Sequence, residues 1–149
     1  MARRIYTDTS VIGGCLDVEY RVGSSALINA FAVGSEILVI SDLTLLELAQ
    51  APVAVREVLD RVPEGNRERV DLTESAAALA QAYVKAGVVT RRQLVDAQHI
   101  AAATLHRVDV LVSWNFKHIV NLTRIHGYNS VNLRRGHPLL EIRTPLEVL

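Results

Sequence analysis

The sequence predicts an α/β sandwich with a mainly parallel central sheet, and three observations carry that expectation. Short runs rich in β-formers recur at residues 5–7, 37–40 and 110–112. Longer segments with apolar residues at helical spacing separate them, the alternation expected of parallel strands joined by crossover helices. No Pro/Gly/Ser-rich linker, repeat or low-complexity tract interrupts the pattern, so residues 1–149 are expected to form one domain.

The elements follow in order. Residues 5–7 form the first strand, and Gly13-Gly14 beyond it reads as a flexible turn, since it lacks the spacing of a phosphate-binding glycine loop. Helical periodicity then covers residues 19–33, before the strand at 37–40. Ser41 or Asp42 is placed to cap a helix over 42–51, and a further helix spans 53–61. Residues 70–72 are a candidate strand, and Thr73 can cap a helix over 74–86. Thr90 can cap the next, over 91–107, which leads into the strand at 110–112. A helix at 119–126 and a strand at 140–143, ending before Pro145, complete the pattern.

Composition narrows the functional classes. Half of the 149 residues are hydrophobic and 21% are charged, which suits a packed aliphatic core and argues against disorder. The single cysteine, Cys15, cannot form an intrachain disulfide and reads as a small buried hydrophobe, consistent with a reducing cytoplasm. No apolar run reaches the ~18 residues of a membrane span, and Met1-Ala2-Arg3-Arg4 leads straight into Ile5 without an apolar signal core, so a soluble cytoplasmic protein is expected. The net charge of zero argues against a strongly basic nucleic-acid binder, but its distribution is uneven. Residues 1–90 hold 8 Lys+Arg against 12 Asp+Glu, whereas residues 91–149 hold 8 against 4. That split allows a basic face to border an acidic pocket, or simply an ordinary solvated surface.

The acids carry the functional signal. In open α/β sheets ligands bind beyond the carboxyl ends of the strands, where strand ends and the starts of the following helices share one rim. Asp8 directly follows the first strand, Glu47 falls in the second turn of the helix after 37–40, and Asp96 falls early in the 91–107 helix. Three carboxylates remote in sequence are thus expected to converge. Hard divalent cations such as Mg²⁺ or Mn²⁺ favour oxygen ligands of this kind, and would relieve the mutual repulsion of crowded carboxylates. Such an ion can activate water for in-line phosphodiester hydrolysis. Taken singly, each acid also admits a structural role: turn capping for Asp8, a surface ion pair for Glu47, and a helix N-terminal preference for Asp96.

Four blocks together resemble the PIN-domain family, and within it the VapC-like toxins of toxin–antitoxin modules. They are Tyr6-Thr7-Asp8-Thr9-Ser10, Leu43-Thr44-Leu45-Leu46-Glu47-Leu48, the run from Val95-Asp96 through Ala103, and Asp109-Val110-Leu111-Val112-Ser113-Trp114-Asn115-Phe116. The resemblance spans nearly the whole chain. It implies a three-layer α/β/α fold, a Mg²⁺ or Mn²⁺ site on Asp8, Glu47 and Asp96, endoribonuclease activity, a homodimer and a small antitoxin partner. At Asn115 many members of that family carry an aspartate, so the sequence suggests one firm metal site and a weaker second one, with the Asn115 amide oxygen assisting. Asp109 precedes its strand, should lie on the opposite rim, and is read as a cap or surface residue.

Thr9, Ser10, Ser113, His99 and Lys117 are the candidate substrate contacts, and each also has a structural reading as a turn, strand-end, core or surface residue. His118 follows the Asn115 block and stands in the same position. Arg91, Arg92, Arg134 and Arg135 can hold an RNA backbone or simply be solvated, and Trp114 can stack a base or pack beside the rim. Two other functions keep the Asp8 placement: a non-catalytic RNA-binding or regulatory module, and a phospho-acceptor signalling domain. The second accounts less well for Asp8, because no acidic pair accompanies the first strand and no suitable strand-end lysine follows.

Overall fold

The computed structural model describes residues 2–149. In chain order its elements are β1 (Arg4–Thr7), α1 (Thr9–Gly14), α2 (Arg21–Ala32), β2 (Ile37–Ser41), α3 (Asp42–Ala49), α4 (Val53–Asp60), β3 (Arg67–Val70), α5 (Glu74–Lys85), α6 (Leu94–Leu105), β4 (Val110–Val112), α7 (Leu122–Arg134), β5 (Ile142–Arg143) and α8 (Pro145–Val148). The five strands form one sheet in the order β3-β2-β1-β4-β5, every pairing parallel. Register follows from burial on both faces. Ile5, Leu38, Ile40, Val110 and Val112 point into a core shared with α1 to α4 and α8, while Tyr6, Val39, Leu111 and Ile142 point into one shared with α5, α6 and α7. A slip of one residue would exchange the two sets, so the α/β/α sandwich specifies its own pairing.

Several boundaries differ from the sequence pattern, each for a local reason. β3 is Arg67–Val70 rather than 70–72. Its charged residues mark a sheet edge, where backbone pairing to β2 rather than side-chain burial makes the strand, and Arg4 reaches Glu68 in an ion pair of 2.6 Å. The 91–107 segment divides into a 3₁₀ turn, Arg91–Gln93, and α6, with Thr90 and Gln93 forming a capping box. α7 starts later than expected, because the Asn121 side chain caps it by accepting from the Arg124 N–H at 2.9 Å, and it runs on to Arg134. Gly127 does not end it; a Cβ there would come within 2.8 Å of Val88 Cγ1, so the glycine permits close packing. α8 was not foreseen and begins at Pro145 behind a Thr144–Glu147 capping box. Among the described residues no helix is long and apolar enough to cross a membrane.

Gly13-Gly14 is likewise not a flexible turn but the last turn of α1. The indole of Trp114 lies against Gly14 and Gly23. A Cβ on Gly14 would collide with Ser24 Oγ and come within 2.9 Å of Trp114 Nε1, and one on Gly23 would come within 3.0 Å of the ring. At Gly13 the same atom would meet nothing within 4 Å. Gly14→Ala should therefore destabilise the fold by about 1–3 kcal/mol through overpacking. Gly13→Ala should be neutral or stabilising by up to about 1 kcal/mol. Urea unfolding of the two variants checks the contrast.

Candidate functional site

The chain leaves β1 for β2 on one side and returns much later to β4 on the other, so the crevice between β1 and β4 is the switch point of the sheet. Asp8 sits at its mouth, with extended backbone just before α1, and is only 6% exposed. A buried anion requires donors, and two serines supply them. Ser10 Oγ donates to Oδ1 and Ser113 Oγ to Oδ2, each at 2.6 Å. Ser113 follows β4, and its hydroxyl also accepts the Asn115 N–H at 2.9 Å, while Ser10 Oγ accepts the Trp114 N–H at 3.0 Å. Ser10 and Ser113, expected from the sequence as substrate contacts, thus both spend their hydroxyls on Asp8 in this structure.

Asp96 lies in the first turn of α6 and faces the same mouth, 3.4 Å from the Asn115 amide nitrogen. The amide oxygen of Asn115 accepts the N–H groups of Lys117 and His118, which shapes the turn after β4. Glu47, on α3, accepts a 2.6 Å hydrogen bond from His99 Nε2. His99 is 2% exposed and its Nδ1 lies 2.6 Å from the Tyr6 hydroxyl, which lies 2.7 Å from Ser41 Oγ. Ser41, Tyr6, His99 and Glu47 thus form one continuous hydrogen-bonded chain. Both ring nitrogens of His99, a substrate contact expected from the sequence, are engaged by Tyr6 and Glu47 in this structure. The supporting role of Tyr6 was not read from the sequence. Its signal was a phenol in an otherwise apolar strand, which must find a partner when buried.

The three acids respond differently to this environment. Burial raises the pKa of Asp8 most, and the charge of Glu47 adds to it, against the lowering effects of His99 and the two serine hydrogen bonds. Asp96 is also raised, by burial and then by the charge of Asp8. For Glu47 burial acts upward, but the hydrogen bond and charge of His99 outweigh it and hold the carboxyl below its usual range.

The sequence-predicted residues therefore share one rim without closing into a cage. Among the described residues no three His, Cys, Asp or Glu side chains are arranged to hold an ion jointly, and Glu47 is hydrogen-bonded to His99. The donor chemistry still suits a hard divalent cation. Asp8 and Asp96 offer oxygen alone, repel each other, and would be relieved by a positive charge between them. Thr9 Oγ1 and His118 Nδ1 are buried without hydrogen-bond partners, and His118 acts electrostatically on Asp96. Lys117, Arg91 and Arg92 are exposed, whereas Arg134 and Arg135 join Lys85 around a separate cavity of about 290 Å³ at the end of α7. Asp109 lies at the opposite end of the sheet, accepting the Arg4 N–H at 2.7 Å.

Neither a protein-family model nor a curated protein matches the sequence. Solved structures do. One chain belongs to VapBC2 from Rickettsia felis, bound to a DNA fragment from its promoter, with 13% identity, a TM-score of 0.57 and coverage of 95% of this chain and 98% of that one. Another belongs to FitAcB from Neisseria gonorrhoeae, with 14% identity, a TM-score of 0.58 and coverage of 95% and 98%. A third belongs to FitAB bound to the IR36 DNA fragment, with 15% identity, a TM-score of 0.58 and coverage of 95% and 94%. At such identities the likeness is one of fold, and it extends over nearly the full length of each chain.

Two outcomes are expected. A carboxyl whose folded pKa is raised stabilises the protein while protonated, and that contribution is lost as pH rises through the folded value. In metal-free protein the stability of Asp8→Asn relative to wild type should therefore grow as pH increases from about 4, the ordinary carboxylate range, toward 8, as read by urea unfolding at several pH values. Tyr6→Phe should cost about 1–3 kcal/mol, since His99 Nδ1 and Ser41 Oγ lose a buried partner; thermal and urea unfolding check it.

Proposed function

We propose that this chain is a PIN-type endoribonuclease, dependent on Mg²⁺ or Mn²⁺, that hydrolyses RNA phosphodiester bonds, and that it is the toxin of a toxin–antitoxin pair. The observation that carries the reading is the placement of Asp8 and Asp96 at the switch-point rim, both raised by burial and by the charge of a neighbouring acid, Glu47 for Asp8 and chiefly Asp8 for Asp96. An acidic pair of this kind gains most from a divalent cation, which when bound lowers the pKa of an attacking water and neutralises charge on the phosphate. Asp8 and Asp96 would hold that ion, and Glu47 would join them only by turning away from His99.

The chain's own residues prepare the site. Ser10 and Ser113 fix the Asp8 carboxylate from both sides, and His99 holds Glu47 by a hydrogen bond. Asn115 sets its amide against Asp96 and orders the turn that presents Lys117 to solvent, where its ammonium can meet a phosphate. The similar folds found in VapBC2 and FitAB support a protein partner for this chain, and a small antitoxin and a homodimer belong to the same proposal.

A second reading, a non-catalytic RNA-binding module, draws on Asn115. Its amide oxygen is occupied by two backbone N–H groups, so this position supplies no negative charge and little capacity for a second ion. One experiment separates the two: incubation of the purified chain with a mixed RNA pool, with and without Mn²⁺, and mapping of the cut ends. Mn²⁺-dependent cutting is expected, lost by at least about 100-fold in Asp8→Asn and Asp96→Asn with the fold intact, as checked by circular dichroism. RNA binding without cutting would favour the second reading. Titration should find one tight Mn²⁺, and about 2.7 kcal/mol of added stability at 100 times its Kd, both lost in Asp8→Asn.

A further inference from the structure

A cavity beside the acids remains without a role. It measures about 310 Å³, the lower end of the range for small-ligand sites, and is lined by residues that include Ser10, Gly13, Asp17, Tyr20, Trp114 and Asn115. Ser10 and Asn115 are the residues that also bond Asp8 and Asp96, so the cavity and the acids share a wall. The other wall is aromatic. Tyr20 stacks on Trp114 at 4.5 Å and 19°, and Phe116, 49% exposed, lies 6.5 and 6.4 Å from the two rings. Three of the seven Trp, Tyr and Phe residues of the chain therefore gather at this one place.

The platform is rigid. Trp114 is 7% exposed, donates Nε1–H to Ser24 Oγ at 2.8 Å, and is wedged against Gly14 and Gly23. Trp114 itself is thus a support; Tyr20 lines the cavity, and the exposed Phe116 lies outside the lining, against the same two rings, where it can meet a ligand that extends beyond the cavity. Asp17 brings a carboxylate to the cavity, with one oxygen accepting the Glu19 N–H at 2.8 Å. Its charge repels a phosphate or an acidic peptide. A flat, uncharged heterocycle with N–H donors suits both the ring faces and the acceptor.

We propose that this cavity is a nucleobase subsite. One unpaired base of a single-stranded RNA stacks on Tyr20 and Phe116, Asp17 accepts from its exocyclic amino group, and the attached phosphate is thereby placed at Asp8 and Asp96. The subsite favours adenine, cytosine or guanine over uracil, which has no amino group. The inference takes its substrate from the nuclease reading, but base binding does not require the chemistry.

Trp114 is the sole tryptophan, so its fluorescence reports the cavity directly. The probes are trinucleotides of adenosine, cytidine or uridine joined by methylphosphonate, whose uncharged linkages are not repelled by the acids. The full chain should show saturable quenching by the adenosine and cytidine probes and weaker binding of the uridine probe. Phe116→Ala should weaken binding by about 5- to 100-fold, the range of a lost base stack. Gly13→Leu, which fills the cavity from an open helix position, should abolish the quenching without lowering the melting temperature. Asp17→Asn should narrow the preference over uridine. Wild-type affinity in both Phe116→Ala and Gly13→Leu overturns the subsite. Quenching by a chain that never cuts RNA would leave the subsite standing and remove the nuclease. Mn²⁺-dependent cutting with cut positions and KM unchanged in Gly13→Leu would do the reverse.

Discussion

The structure turns on a single buried carboxylate. Asp8 is held at the end of β1 by hydroxyls from Ser10, two residues away, and from Ser113, 105 residues away. An anion in so dry a place is costly unless hydrogen-bonded, so its burial demands that the loop after β4 lie beside the loop after β1. The parallel pairing of β1 with β4 meets that demand, and the same pairing creates the crevice in which Asp96 and Asn115 also arrive. Fold and site are therefore solutions to one problem.

The sheet also separates two kinds of support. On one face the Ser41–Tyr6–His99–Glu47 chain ties α3 to α6 through a strand, so a hydrogen-bonded core anchors the otherwise exposed Glu47. On the other face Trp114, seated against two glycines, stiffens the segment that carries Ser113 and Asn115. Neighbouring acids consequently diverge: burial and repulsion lift Asp8 and Asp96, while an adjacent imidazole lowers Glu47. Environments that push the pKa values of adjacent groups apart are common where proton transfer or metal binding takes place.

The likeness to VapBC2 and FitAB at 13–15% identity fits this division. A sandwich of this type asks only for apolar residues of suitable volume at its strand positions, so most of its core can change while the architecture persists. Fold similarity of that kind leaves function to be argued from the site, and here the argument rests on where the carboxylates stand and what holds them.

The alternation of strands and helices was legible in the sequence, because apolar period identifies buried faces without knowledge of the partner. So was the expectation that Asp8, Glu47 and Asp96 lie on one rim, since each follows a strand end or a helix start. The sequence placed β3 three residues too late, since Arg67, Glu68 and Arg69 have no apolar signature, and did not reveal the short helix α1, which ends in two glycines. Nor did it show that Ser10, Ser113 and His99 serve the acids, or that Gly14 and Gly23 make room for Trp114. Those assignments are contacts between residues that the chain brings together only when folded, and local propensity carries no information about them. The sequence by itself determined the layers and the strand-end positions of the acids, because both follow from short-range period. Tertiary structure alone decided which side chains hold those acids and which ring faces stand beside them, because hydrogen bonding and close packing depend on distances of an ångström or less.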